Sequence, residues 1–339
     1  MLATPTPVPR IWPQRRYSYV AVLTLTAMGV AFPTQAWVLL GLPLAVGMVL
    51  LGVAHGACDQ LVVPAVWAGS VATSRLHYWL RFLVGYLGLA AVIGLLWWWW
   101  PAAMVGLFFL LTVWHWGSAD APPELHSTPI WWLMHSLLRG LLLFLLPLWR
   151  WPIETADIVD GLLGFAGAPA VSQPLYERTA ALLGSIVLVG HVILWIRYLI
   201  QRKWAVLGME LVEVLLLTGL LVALPPMLSV GVYFVFWHSL QHVLRLTQWL
   251  GYPAPVRRRT AWVELGTQLR FFLRRAAPLL TLSCVGLLIV GCVLAPQLPD
   301  ATAWFSFALV AASIVTLPHA LLVTLVMDAA HRQPVGSGH

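Results

Sequence analysis

The chain has 339 residues, 60% of them hydrophobic and only 9% charged, with a mean hydropathy of +0.86. Apolar runs close to the length a bilayer demands recur along nearly all of it, which excludes a soluble globular domain. The 19 Lys and Arg outnumber the 12 Asp and Glu, but they fall in short loops between apolar segments. They are topology signals, not a nucleic-acid patch.

Segmenting at Pro, Gly and charged residues predicts an all-α polytopic membrane protein of about ten helices, within a range of eight to ten, as a single transmembrane domain over 1–339. A short cytoplasmic segment of about 1–16, with Arg10, Arg15 and Arg16, precedes a helix over 17–32. That opening imitates a signal peptide but lacks a convincing small-residue cleavage site, so the first helix is retained. The next spans are 36–66, long enough to tilt or break near Pro64; 77–99; a short 102–118; and 129–149. Trp97 to Trp100 mark an aromatic belt at the outer boundary of the third span. The longest outer connection, Trp151 to Pro174, is rich in Gly and Ala and is free to fold over the bundle. The remaining spans are 175–200, 206–224, 226–249, 272–294 and 301–327, before a flexible tail of about 332–339.

The arginines orient this arrangement in a cell membrane, of the inner-membrane type, with both termini cytoplasmic. On that side lie Arg10, Arg15, Arg16, Arg75, Arg81, Arg202, Lys203, Arg257 to Arg259, Arg270, Arg274, Arg275 and Arg332. The other side keeps Arg150 and Arg178 beside Glu154, Asp157, Asp160, Glu177 and Asp300. Cys58, Cys284 and Cys292 have neither metal-site spacing nor a disulfide framework and are read as small membrane-core residues.

Histidines carry the chemistry. His55 in HGACD, His115 in HWGSAD, and His238 with His242 in FWHSLQH fall on the second, fourth and eighth spans, each in its cytoplasmic half. A lone membrane histidine usually bonds a neighbouring helix. Four at one depth, two of them i, i+4 on one face, point instead to an intramembrane metal site. Neutral imidazoles suit a divalent iron with room left for dioxygen and a substrate. Gly56 and Gly117 let a helix or a flat ligand come close. Asp59 and Asp120 are placed to accept from a ligand imidazole or to sit as ordinary surface charges, and Glu210 with Glu213 either reaches the same layer or marks a helix start. His319 in TLPHALL is a fifth candidate, read with the weaker His135 and His191 as supporting rather than ligating.

HGACD, HWGSAD, FWHSLQH and LPHALL, in this order across most of the chain, resemble the Brp/Blh family of membrane β-carotene 15,15′-dioxygenases. The resemblance implies cleavage of β-carotene by dioxygen to two molecules of retinal, with Fe(2+) held by His55, His115, His238 and His242. It also implies a retinal-binding rhodopsin as a functional partner. In the family a histidine often follows the first aspartate and an arginine often precedes the last histidine of HSxxH; this chain has Gln60 and Gln241 there. Those departures leave the exact carotenoid open.

Three other classes stay open at this stage, one of them a non-catalytic scaffold or opsin-assembly helper whose histidines merely pack helices. A metal-ion or proton transporter also buries histidines and acids, but it predicts a polar route to both faces, and the outer half here lacks ionisable residues. A di-iron desaturase or hydroxylase needs several histidine clusters, and only one HxxxH occurs.

Overall fold

The computed structural model describes residues 12–61, 75–122, 125, 128–253, 260–298 and 300–323. The segment before Trp12, Pro64, the Arg257 to Arg259 run and the 332–339 tail lie outside the described residues. Among the described residues the chain forms eleven helices and no strand. In chain order these are α1 (Trp12–Ala31), α2 (Ala36–Leu61), α3 (Arg75–Trp99), α4 (Pro101–Asp120), α5 (Pro129–Arg150), α6 (Pro152–Phe165), α7 (Gln173–Ile200), α8 (Trp204–Ala223), α9 (Pro226–Trp249), α10 (Ala261–Leu294) and α11 (Ala301–Leu322).

Nine of them, α2 to α5 and α7 to α11, are long and apolar enough to cross a membrane. The helix expected over 17–32 is present as α1, but Arg15 and Arg16 in its first turns keep it below a span by composition alone. Interior bonds hold it instead: Tyr17 donates to the Ala261 carbonyl at 2.6 Å, and Tyr19 donates to Glu213 Oε1 at 2.6 Å. Arg15, counted from sequence as a loop charge, is buried and pairs with Glu213. Lipid offers a guanidinium no better partner.

Three boundaries differ from the sequence reading. The 151–174 connection contains α6, whose Pro152 suits a first helical turn and whose Leu162 and Leu163 are buried against the bundle. Asp160 Oδ1 then accepts from the Val171 amide at 2.9 Å and from the Tyr176 hydroxyl at 2.8 Å, tying the return segment to α6. α10 begins at Ala261 rather than 272, because Glu264 and Arg270 conceal its first turns from a hydropathy reading. Of the four tryptophans at the end of α3, Trp98 to Trp100 project outward, but Trp97 is buried and donates to Ser313 Oγ on α11 at 2.7 Å.

α9 is the central helix: 72% of its most apolar stretch is buried, against 6% for α10, which therefore turns most of its surface outward. Buried Trp237, Tyr233, Leu228 and Val232 of α9 join α1, α5 and α8 in the largest core, while its Val243, Leu244 and Leu246 pack with α2 and α10. Two close approaches fix the helices that matter below. α4 and α5 touch backbone to backbone: a Cβ on Gly117 would stand 1.8 Å from the Ser136 carbonyl oxygen, and one on Gly140 would stand 1.9 Å from that of Val113. α2 and α9 each contain a π-helical stretch, Met48–Val53 and Tyr233–Ser239, and these cross where Gly52 faces Phe234 and Gly47 faces Val235. An inserted π turn rotates everything that follows it on the helix. His55 comes just after the first, and His238 lies within the second.

Candidate metal centre

α2, α4, α9 and α11 each bring a histidine from their C-terminal half to one buried point. His55 lies 6.0 Å from His238 and 5.3 Å from His242, ring centre to ring centre, and His115 lies 5.1 Å from His238. His238 and His242, one helical turn apart, are parallel within 11° at 6.3 Å. His319 stands within the same group, 4.8 Å from His55, 5.3 Å from His115 and 5.5 Å from His242. All five are at most 6% exposed. The layer inferred from helix arithmetic is thus a cluster of rings in contact.

Hydrogen bonding decides which ring atoms are left over. The Leu51 carbonyl can only accept, so His55 donates to it through Nδ1 at 2.9 Å and keeps the lone pair on Nε2. Nε2 of His115, His242 and His319 and both ring nitrogens of His238 are buried without a hydrogen-bond partner. Native interiors rarely leave such atoms unmatched, and a site for an ion is one of the standard reasons. Imidazoles sharing one ion have ring centres roughly 4.5 to 6.5 Å apart, the range seen here. The donor chemistry therefore fits a divalent transition metal. As they stand, no three His, Cys, Asp or Glu side chains among the described residues are drawn close enough together to grip an ion.

An apolar wall adjoins the rings. Phe234 stacks on His238 at 6.0 Å and meets His55 edge-on at 6.1 Å, and Trp116 lies 5.8 Å from His238. Gly56 leaves open ground beside the cluster: a Cβ there would meet nothing nearer than His319 Nδ1, at 3.9 Å. Gly117 serves the α4 and α5 contact rather than a ligand.

The carboxylates distribute differently from the sequence reading. Asp59 bonds an imidazole, but that of His319, through Nδ1 at 2.9 and 3.0 Å, while the Tyr86 hydroxyl approaches it at 3.4 Å. Asp120 reaches no histidine; both of its oxygens accept from Trp237 Nε1. The α4 helix ends at Asp120, so this side chain turns toward α9 instead of back along its own helix. Glu210 is also held elsewhere, accepting from His135 Nε2 at 2.8 Å and from Arg139 Nη2 at 3.0 Å. Arg139 bonds Glu213 as well, at 3.0 Å, and Glu213 in turn holds Arg15 and Tyr19. This second buried network joins α1, α5 and α8, and Arg15 Nη2 extends it to α4 by donating to the Asp120 carbonyl at 3.1 Å. His191 bonds back onto its own helix, donating to the Val187 carbonyl at 2.8 Å.

Arg139 was not singled out in the sequence, although the signal was there. An arginine within the apolar run of α5 requires a carboxylate. His135 and Arg139 share one face at i, i+4, and Glu210 and Glu213 share one at i, i+3 on α8.

The family model for beta-carotene 15,15'-dioxygenase matches residues 46–327, a stretch that contains all five clustered histidines and leaves α1 outside. A probable beta-carotene 15,15'-dioxygenase Blh from Halobacterium salinarum is 30% identical over 303 residues, covering 83% of each chain. No solved structure matches. With five of its histidines in one buried cluster and this similarity along most of its length, the chain belongs to the beta-carotene 15,15'-dioxygenase family.

Proposed function

We propose that this protein cleaves β-carotene at its central 15,15′ double bond with dioxygen, giving two molecules of retinal, at a non-haem Fe(2+) held by His55, His115, His238 and His242. The observation that carries the reading is the set of buried imidazole nitrogens without partners at the meeting point of α2, α4 and α9. One C=C bond breaks and two C=O bonds form, each aldehyde taking one atom of the dioxygen. Bound iron supplies the activation of dioxygen that the side chains alone lack.

The chain's own residues bind, orient and exclude water. A carotenoid is a rigid apolar polyene already dissolved in the bilayer, so a site within the helices receives it without a passage through water. Phe234 and Trp116 offer that polyene flat faces directly against His238 and hold water off the rings. Which carbon pair stands beside the cluster then selects the bond cleaved. The Leu51 carbonyl fixes the His55 tautomer, and the α4 and α5 glycine contact sets the position of His115. The arginine distribution supports a chain set in a cell membrane with both termini on the cytoplasmic side, and a retinal-binding rhodopsin would consume the product.

The test is chromatography of retinoids from a bacterium accumulating β-carotene and expressing either the wild type or His238→Ala. Retinal from the wild type alone is expected. Intact β-carotene in both, with folded protein present, or retinal in equal amounts from both, overturns the proposal.

A further inference from the structure

We propose that His319, oriented by Asp59 and Tyr86, is a fifth imidazole ligand that presents its Nε2 to the ion held by the other four rings. This deepens the iron reading above and rests on it. Three observations converge.

His319 is no neighbour at the edge. Its 4.8 Å approach to His55 is shorter than the 5.1 to 6.3 Å separations observed among His55, His115, His238 and His242, and it also touches His115 and His242. The ring is also committed on one side only. Nδ1 donates to Asp59, which fixes the tautomer and leaves the Nε2 lone pair buried with no partner. A histidine that packs α11 against the bundle gains by bonding a neighbour through that atom, and His319 Nε2 makes no such bond.

The third observation is the carboxylate itself. A carboxylate bonded to the far nitrogen of a metal-bound histidine orients the ring and raises its basicity. Asp59 is buried, and the Tyr86 hydroxyl lies 3.4 Å from its Oδ2 and 3.3 Å from the Val315 carbonyl of α11. Tyr78, two turns earlier on α3, donates to the Gln60 carbonyl at 2.7 Å. α3 thus braces the end of α2 that carries Asp59, and the aspartate supplies a negative charge to a set of otherwise neutral rings.

Cobalt(II) titration of the purified full-length protein in detergent tests this without reference to catalysis, because the visible bands of cobalt respond to the number and type of its ligands. Wild type is expected to bind about one ion per chain and His238→Ala to lose it. His319→Ala is expected to bind at least tenfold more weakly with shifted bands. Asp59→Asn should weaken binding by roughly 10 to 100-fold, the effect usual for the partner of a ligand histidine. His319→Gln, which preserves bulk, serves if the alanine variant fails to fold. If His238→Ala abolishes binding while the His319 variants keep wild-type affinity and spectrum, the fifth ligand is overturned and the four-histidine site stands. If wild type binds no cobalt, or His238→Ala binds it unchanged, the metal reading itself falls and this proposal with it.

Discussion

Trp237 Nε1 donates to both carboxylate oxygens of Asp120, at 3.1 and 3.0 Å, and so couples the end of α4 to the residue immediately before His238. Tyr19 of α1 stacks on the same indole at 5.4 Å. Through these contacts the ion network around Glu213 and the histidine cluster become two halves of one buried polar core. Trp237→Phe keeps the stacking and removes the donor. It is expected to lower stability by about 1 to 3 kcal/mol, the usual cost of a stranded buried partner, read from thermal unfolding in detergent. An unchanged midpoint would detach Asp120 from the site.

Arg139 is fully buried between Glu210 and Glu213. Removing one member of such a group strands charge and typically costs about 3 to 5 kcal/mol. Arg139→Met should therefore leave little folded protein in the membrane. Adding Glu210→Gln should recover part of it, because Glu213 retains Arg15. Equal yields of folded protein from wild type and Arg139→Met would contradict this account.

Gly117→Ala puts a methyl group against backbone that has no side chain to swing aside. Helices α4 and α5 must separate, at a cost of about 1 to 3 kcal/mol or more, and His115 moves with α4. Gly88→Ala, with nothing within 4 Å, is the matched control and should be silent. Unfolding midpoints of the two variants, together with their retinal yields, make the comparison.

Orientation is open to labelling. In a cysteine-free background, a cysteine at Arg258 should react with an impermeant maleimide only from the cytoplasmic face, and one at the exposed Asp157 on α6 only from the other. The reverse pattern would invert the topology.

Hydropathy revealed most of the bundle, since a helix in lipid must advertise itself by length and apolarity. It fell short at α6 and at the starts of α1 and α10, where the chain folds as helix while carrying charged residues that lower its mean hydropathy. The meeting of His55, His115, His238 and His242 was legible because helices threaded in the same sense place equivalent positions at equal depth. The partners of Asp59, Asp120 and Glu210 were not, because rotation about each helix axis decides them. The π turns in α2 and α9 alter that rotation without any mark in the residue pattern.

The clustered rings stand in chain order from His55 to His319, so the last of them arrives with α11, the last helix among the described residues. Synthesis delivers the N-terminal helices first. While α11 is still in the ribosome, the helices that carry the other four rings have been made, and Asp59 has no His319 to bond. The cluster is therefore completed by α11, which is made after the helices that carry its other four rings. A chain cut short before residue 319 would pass as a membrane protein by every apolar criterion and still lack the ring that joins His55, His115 and His242.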